Sequence, residues 1–327
     1  MRSDNPYHSY LVTSTLHSTK VFRIESAGVI ASVEPTTDSF VTESPTLCVS
    51  NVTPLSSVTQ TYPASSFVVQ VTSKAVYLLE FNSGLDEFTL QTRWEVSSIG
   101  SEIVAASVNP SQVLLGLKGS RVVALALQDD KLLLRYLCFI QFRTFIEIPS
   151  AQISRRLPFT VCCLTMTNYD SVPDEVSAIS CVPIDPSKPY TDIVVIAHWR
   201  KLQVVVYSLV GKPKALCTPL QLSAPACSLL FHNFGTDTKE NAHTYLLCGL
   251  TDGSVTSLVW DNSQRLRDMK NVSLGTLPVC LSACQVNGKN AVFAAGTRAS
   301  LLSWDKRHLT FSPVISRVRA GPEDILS

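Results

Sequence analysis

EIVAASVNPSQVLLGLKGSRVVALALQDDKLLLRY, residues Glu102 to Tyr136, holds four apolar runs separated by three short polar breaks. The breaks are Asn109-Pro110, Lys118-Gly119-Ser120 and Asp129-Asp130. Each run is rich in β-branched residues and leucine and is bounded by turn formers, which is the pattern of an antiparallel strand meander. The grouping recurs from Glu175, Cys227 and Leu277. An apolar strand comes first, and a second ends in a small residue (Gly116, Ala197, Gly249, Gly296). A short turn, a third strand and a weaker fourth follow. The later units repeat at about 45 to 50 residues, the spacing of four-stranded propeller blades. Runs such as VVIA and YLLCGL are apolar on both faces, as expected of strands buried between stacked sheets. A sandwich or a pair of barrels, the competing architecture, would alternate more cleanly.

Further out, the same signals persist. SFVVQVT, KAVYLLEF, KLQVVVYSLV, SVTSLVW and NAVFAAG read as strands, and Thr251-Asp252-Gly253 and Asn287-Gly288 read as hairpin turns. No stretch carries a helical stripe, so the chain is predicted to be all-β. Two regions break the rhythm. Glu34 to Ser66 is rich in Ser, Thr and Pro and reads as a long loop around one or two short strands. Leu137 to Asp174, with Arg155-Arg156 and Cys162-Cys163, reads as an irregular insertion, or as coding sequence foreign to the folded product.

Composition narrows the function. The 327 residues carry 27 Lys+Arg and 26 Asp+Glu, a net charge of +1, and only 16% are charged. Such a chain is not built as a disordered polymer and has no basic footprint for a phosphate backbone. Lys306, Arg307, Arg317 and Arg319 are too few to make one. No run of about 18 apolar residues is free of charge, so no membrane span is expected. The N-terminus has no apolar core resembling a signal peptide. The ten cysteines are scattered, with Cys181, Cys248 and Cys280 inside apolar runs and no C-x-x-C pair. They read as buried free thiols in a reducing compartment, which leaves the sequons at Asn51 and Asn271 unused.

No nucleophile elbow, phosphate loop, dinucleotide fingerprint or zinc-protease motif is present, so no catalytic residue, cofactor or metal is expected. Gly116 and Gly119 join strand to strand and read as a hairpin turn. His198 and His232 stand at strand ends and read as structural. Trp260-Asp261 and Trp304-Asp305 end third strands without the Gly-His pair of WD40 repeats, and read as packing between blades. Trp94, in LQTRWEV, lies between charged residues and could either pack the core or anchor a protein contact.

HTYLLCGLTDGSVTSLVWD and KNVSLGTLPVCLSACQVNGKNAVFAAGTRASLLSWDKRHLTFSPV together resemble the second β-propeller of the UV-damaged-DNA-binding protein subunit 1 family. SLGTLPV is the most distinctive phrase of the match. EIVAASVNPSQVLLGL and VPDEVSAISCVPI resemble strands of earlier blades. The similarity runs from Tyr10 to Val314 apart from the Leu137 to Asp174 excursion. Splicing factor 3B subunit 3 and the large cleavage and polyadenylation specificity factor subunit share the architecture.

The resemblance implies a seven-bladed propeller of four-stranded blades, residues 1–327 forming one domain of a longer multi-propeller protein. It also implies a non-enzymatic scaffold in the nucleus, also in the cytoplasm, with protein partners and no direct nucleic-acid contact. In the DNA-damage relative this propeller docks the cullin-4 scaffold of a RING ubiquitin ligase, and Trp94 resembles a tryptophan of that cullin-facing surface. A complete family member is much longer, so the chain reads as a fragment or truncated product whose ring closure is open. Two alternatives stand beside the ubiquitin-ligase reading: an RNA-processing scaffold, and a propeller enzyme or lectin using a central channel.

Overall fold

The computed structural model describes residues 9–24, 29–33, 38–53, 67–82, 87–96, 101–119, 121–128, 131–139, 174–185, 188–210, 214–235, 243–261, 265–305 and 308–314. These residues form six antiparallel sheets and no α-helix. The chain divides into two compact units, Met1–Ser223 and Ala224–Ser327.

Unit 1 holds four sheets of consecutive strands. The first is β1 (Ser9–Ser14), β2 (Thr19–Ile24) and β3 (Ile30–Val33). The second is β4 (Thr46–Val52), β5 (Phe67–Thr72), β6 (Ala75–Asn82) and β7 (Glu87–Glu95). The third is β8 (Ile103–Asn109), β9 (Gln112–Leu117), β10 (Arg121–Gln128) and β11 (Lys131–Phe139). In the fourth, β12 (Val176–Ser180), β13 (Ile193–His198) and β14 (Gln203–Ser208) are followed by β15 (Lys214–Ala215) and β16 (Leu220–Gln221), both paired to β14.

Unit 2 holds two more. One is β17 (Ala226–Asn233), β18 (Thr244–Leu250), β19 (Ser254–Trp260) and β20 (Leu266–Ser273). The other is β21 (Cys280–Val286), β22 (Lys289–Ala295), β23 (Ser300–Asp305) and β24 (His308–Pro313).

The doubly apolar runs have the expected cause. Every residue of β5 and of β9 is buried. In β6, Val76 and Leu78 pack towards the third sheet, while Leu79 and Phe81 pack towards the first. A strand clamped between two sheets buries both faces of its pleat, so alternation disappears from its sequence.

The small residue that ends the second strand also has a cause. In four sheets the first strand carries one extra residue near its start: Leu47, Val104, Ser177 and Cys227. A bulge bends the strand that carries it and increases its twist. A methyl group on Gly116 would lie 2.8 Å from Val176 Cγ1, and one on Gly249 would lie 2.1 Å from the Val279 carbonyl oxygen. The glycines are therefore demanded by the neighbouring first strand. β21 pairs with β22 without this shift, and the repeat loses its strictness there.

At the opposite end of the third and fourth sheets, buried polar groups hold the seam. Asn109 Nδ2 donates to Gln112 Oε1 (2.7 Å) and to the Cys181 carbonyl (2.8 Å). Gln112 answers by accepting the Thr191 N–H (2.8 Å) and donating to the Thr191 carbonyl (3.2 Å).

Three expectations are refined. The described residues hold six sheets rather than seven blades. The first sheet has only three strands, and its outer face leaves Leu11 (43%) and Ile30 (58%) exposed. The strand predicted to stop at Tyr136 continues to Phe139, because LCF extends its apolar run. Residues 140–173, most of the expected insertion, lie outside the described residues, as do 34–37 and 54–66 of the expected loop. The remainder of that loop contains β4.

Candidate protein-interaction surface

The first strands β4, β8 and β12 run in the same direction, so the hairpins between second and third strands gather at one end of unit 1. Their tips are Ser73-Lys74, Lys118-Gly119 and Trp199-Arg200-Lys201-Leu202. Backbone bonds stitch this end together: the Ile103 N–H donates to the Ser73 carbonyl (2.8 Å), and the Lys118 N–H to the Glu102 carbonyl (2.9 Å). Ser101, Glu102, Lys118, Gly119 and Arg121 line a shallow open depression between tips.

Trp94, the expected contact residue, lies near this end on β7, opposite Val76. A bulge decides where its ring goes. Leu79 pairs with Leu90 and Leu78 with Thr92, so Gln91 is the extra residue. Before the bulge, Phe88 and Leu90 face the first sheet beside Phe81. After it, Trp94 faces the other way and packs on the core shared by the second and third sheets. A single inserted residue exchanges the faces of everything that follows. Trp94 is thus half-buried, and its neighbours Arg93 and Glu95 form an exposed ion pair (2.9 Å). The Arg93 guanidinium also sits 5.3 Å from the centre of the Tyr77 ring.

Trp199 is different. β13 ends at His198, so the indole belongs to the turn and is 50% exposed. The backbone beneath it is pinned from both sides. The Trp199 N–H donates to the Glu175 carbonyl (2.8 Å). The Arg200 and Lys201 N–H groups donate to Asp174 Oδ1 (2.8 Å) and Oδ2 (2.9 Å). On the other side, Gln221 Nε2 donates to the Lys201 carbonyl (3.0 Å), and the Leu222 N–H to the Leu202 carbonyl (2.7 Å). Leu202 takes a φ of 51°, a left-handed conformation that a leucine adopts only when its surroundings impose it. An aromatic ring on a fixed backbone presents a large apolar surface with little entropy left to lose on contact. The sequence singles out only its neighbour His198, at the strand end, and not Trp199 itself. The signal was present: WRKL between two apolar runs places a tryptophan inside a turn.

His198 is buried and His232 half-buried. Burial holds His198 below its ordinary pKa against the pull of nearby Asp174, and depresses His232 to about 4. His198 Nδ1 and His232 Nε2 are buried and have no hydrogen-bond partner. In unit 2, Trp304 stacks on His243 at 3.9 Å, as expected of packing between sheets. Trp260 instead meets Phe231 of its own sheet edge-on at 5.3 Å.

Seven cysteines among the described residues are free thiols. Burial pushes Cys181 and Cys248 up to about 12. Cys280 is exposed, contrary to its apolar context, because it opens β21, a strand with no fully buried residue. Among the described residues no group of three or more His, Cys, Asp or Glu could hold a metal, and no helix is long and apolar enough to cross a membrane.

Sheets of consecutive antiparallel strands, a repeated first-strand bulge and glycines fitted to the next sheet are the anatomy of propeller blades. The family model described as the RSE1/DDB1/CPSF1 second beta-propeller matches residues 1–321. DNA damage-binding protein 1 of Oryza sativa subsp. japonica is 24% identical over 317 residues, covering 95% of this chain and 24% of that protein. DNA damage-binding protein 1a of Arabidopsis thaliana is 27% identical over 251 residues, 76% of this chain and 19% of that protein. The Drosophila melanogaster DNA damage-binding protein 1 is 30% identical over 141 residues, 43% of this chain and 12% of that protein. The chain therefore spans a quarter or less of the length of these relatives. On the span of that match and on its blade anatomy, the chain belongs to the RSE1/DDB1/CPSF1 second β-propeller family.

Proposed function

We propose that this chain is a non-enzymatic interaction scaffold that docks a cullin-4-type partner at the hairpin-tip end of unit 1. Trp199 is the anchor, and the exposed part of Trp94 is a second, weaker contact. The observation that carries this reading is the half-exposed indole of Trp199 on a backbone fixed from both sides. Arg200 beside it adds a cation that suits a partner with an acidic rim.

The first strands TLCVSNV, IVAASVN, VSAIS, ACSLLFHN and CLSACQV carry no carboxylate, which favours a scaffold over a propeller hydrolase or lectin. The exposed outer face of the first sheet supports a further, seventh blade as its neighbour. The near-neutral charge favours protein over nucleic acid as the partner, and the family supports a nuclear setting.

The family model is also named for RSE1 and CPSF1, and a scaffold of splicing or polyadenylation type, which the sequence resemblance leaves open, is the second reading. The damage-binding names of the curated relatives favour the first. Titration of the full chain with a cullin-4 N-terminal domain should give saturable binding that Trp199→Ala weakens. Absence of binding to the cullin, with capture of splicing or polyadenylation subunits instead, would transfer the role to the second reading.

A further inference from the structure

We infer that Asp174 is a positioning residue for the Trp199 contact. This rests on the docking role proposed above. The tip Trp199-Arg200-Lys201-Leu202 contains none of the residues that close a turn unaided, neither Gly, Asn, Asp nor Ser. Its two cationic side chains and its indole can donate hydrogen bonds but cannot accept one, so no side chain within the tip can receive the exposed N–H groups.

Other hairpin tips solve this locally. In the second sheet, Thr72 Oγ1 accepts from the Lys74 and Ala75 N–H groups (3.4 and 3.3 Å). In unit 2, Asp252 Oδ1 accepts from the Ser254 N–H (2.9 Å). The Trp199 tip instead receives its acceptor from outside the hairpin. Asp174, two residues before β12 and only 3% exposed, gives one oxygen to Arg200 and the other to Lys201. The adjacent Glu175 carbonyl takes the N–H of Trp199 itself. Three consecutive backbone donors are thus fixed by two consecutive residues, and the indole is aimed by that clamp. Bonds of this kind to a buried carboxylate are stronger than neutral ones and leave costly orphan donors when lost.

A double-mutant cycle on the full chain tests this, with a cullin-4 N-terminal domain as the probe. Asp174→Asn keeps one acceptor oxygen and turns the other into a donor facing an N–H. Its affinity should fall about tenfold, the effect of losing one charge-assisted bond. In a Trp199→Ala background the same substitution should cost less than about twofold, because residues acting through one another are not additive. Fluorotryptophan NMR of the unbound protein gives a second readout, the Trp199 resonance being assigned with Trp199→Phe. Asp174→Asn should sharpen and shift that resonance while leaving those of Trp94, Trp260 and Trp304 in place.

An undiminished loss in the Trp199→Ala background, or movement of all four resonances, would reduce Asp174 to a fold-stabilising residue and overturn the inference. Wild-type affinity of Asp174→Asn alongside a crippled Trp199→Ala would overturn the positioning role and leave the docking site intact. Wild-type affinity of Trp199→Ala would remove the docking site itself and the positioning role with it.

Discussion

Trp94 closes an outermost strand and Trp199 opens a hairpin turn, both at the tip end of unit 1. Each is flanked by a basic residue, and in a bare sequence Trp94 has the stronger appearance of a surface anchor. The bulge at Gln91 reverses this. It turns Trp94 onto the core between the second and third sheets, where its area stabilises the seam. Trp199 has no such device; the chain leaves β13 one residue earlier, and the ring remains half in solvent. Burial of a large aromatic is thus decided by local register more than by the polarity of its neighbours.

The comparison can be broken most severely by Trp94→Asp. The substitution sets an unpaired carboxylate against the core of the second and third sheets, opposite Val76. Loss of the ring together with desolvation of the charge should cost about 3 kcal/mol in a denaturant titration. Trp94→Ala removes only the half-buried ring and should cost about 2 kcal/mol by the same measurement. Trp199→Ala should leave stability within about 0.5 kcal/mol of the original, as substitutions at exposed sites do. Equal destabilisation by the two alanines would erase the distinction. The thiols sharpen it with the smallest perturbation. Ellman's reagent should titrate exposed Cys280 in the native protein but reach Cys181 and Cys248, held up at about 12, only after unfolding.

Much of the fold was legible because two-sided burial writes continuous apolar runs, and because the close approach of one sheet to the next demands Gly116 and Gly249. The bulges were not legible. An extra residue such as Val104 or Gln91 changes no composition and is visible only in the pairing register. For the same reason the sequence reading favoured Trp94, whose orientation depends on such a bulge. Cys280 was misplaced because β21, despite its apolar residues, is open to solvent along its whole length, with no residue fully buried. Asp174 was hidden at the edge of an irregular stretch, where nothing in the sequence ties it to a turn twenty-six residues further on.

The central claim is that the tip of the β13–β14 hairpin, far more than the β7 edge, carries the docking. Side-by-side calorimetric titration of the original chain, Trp199→Ala and Trp94→Ala with a cullin-4 N-terminal domain tests it most directly. A hot-spot anchor predicts a loss of about thirtyfold or more for Trp199→Ala and less than about threefold for Trp94→Ala. The reverse order, or an unchanged affinity for Trp199→Ala, would contradict the account.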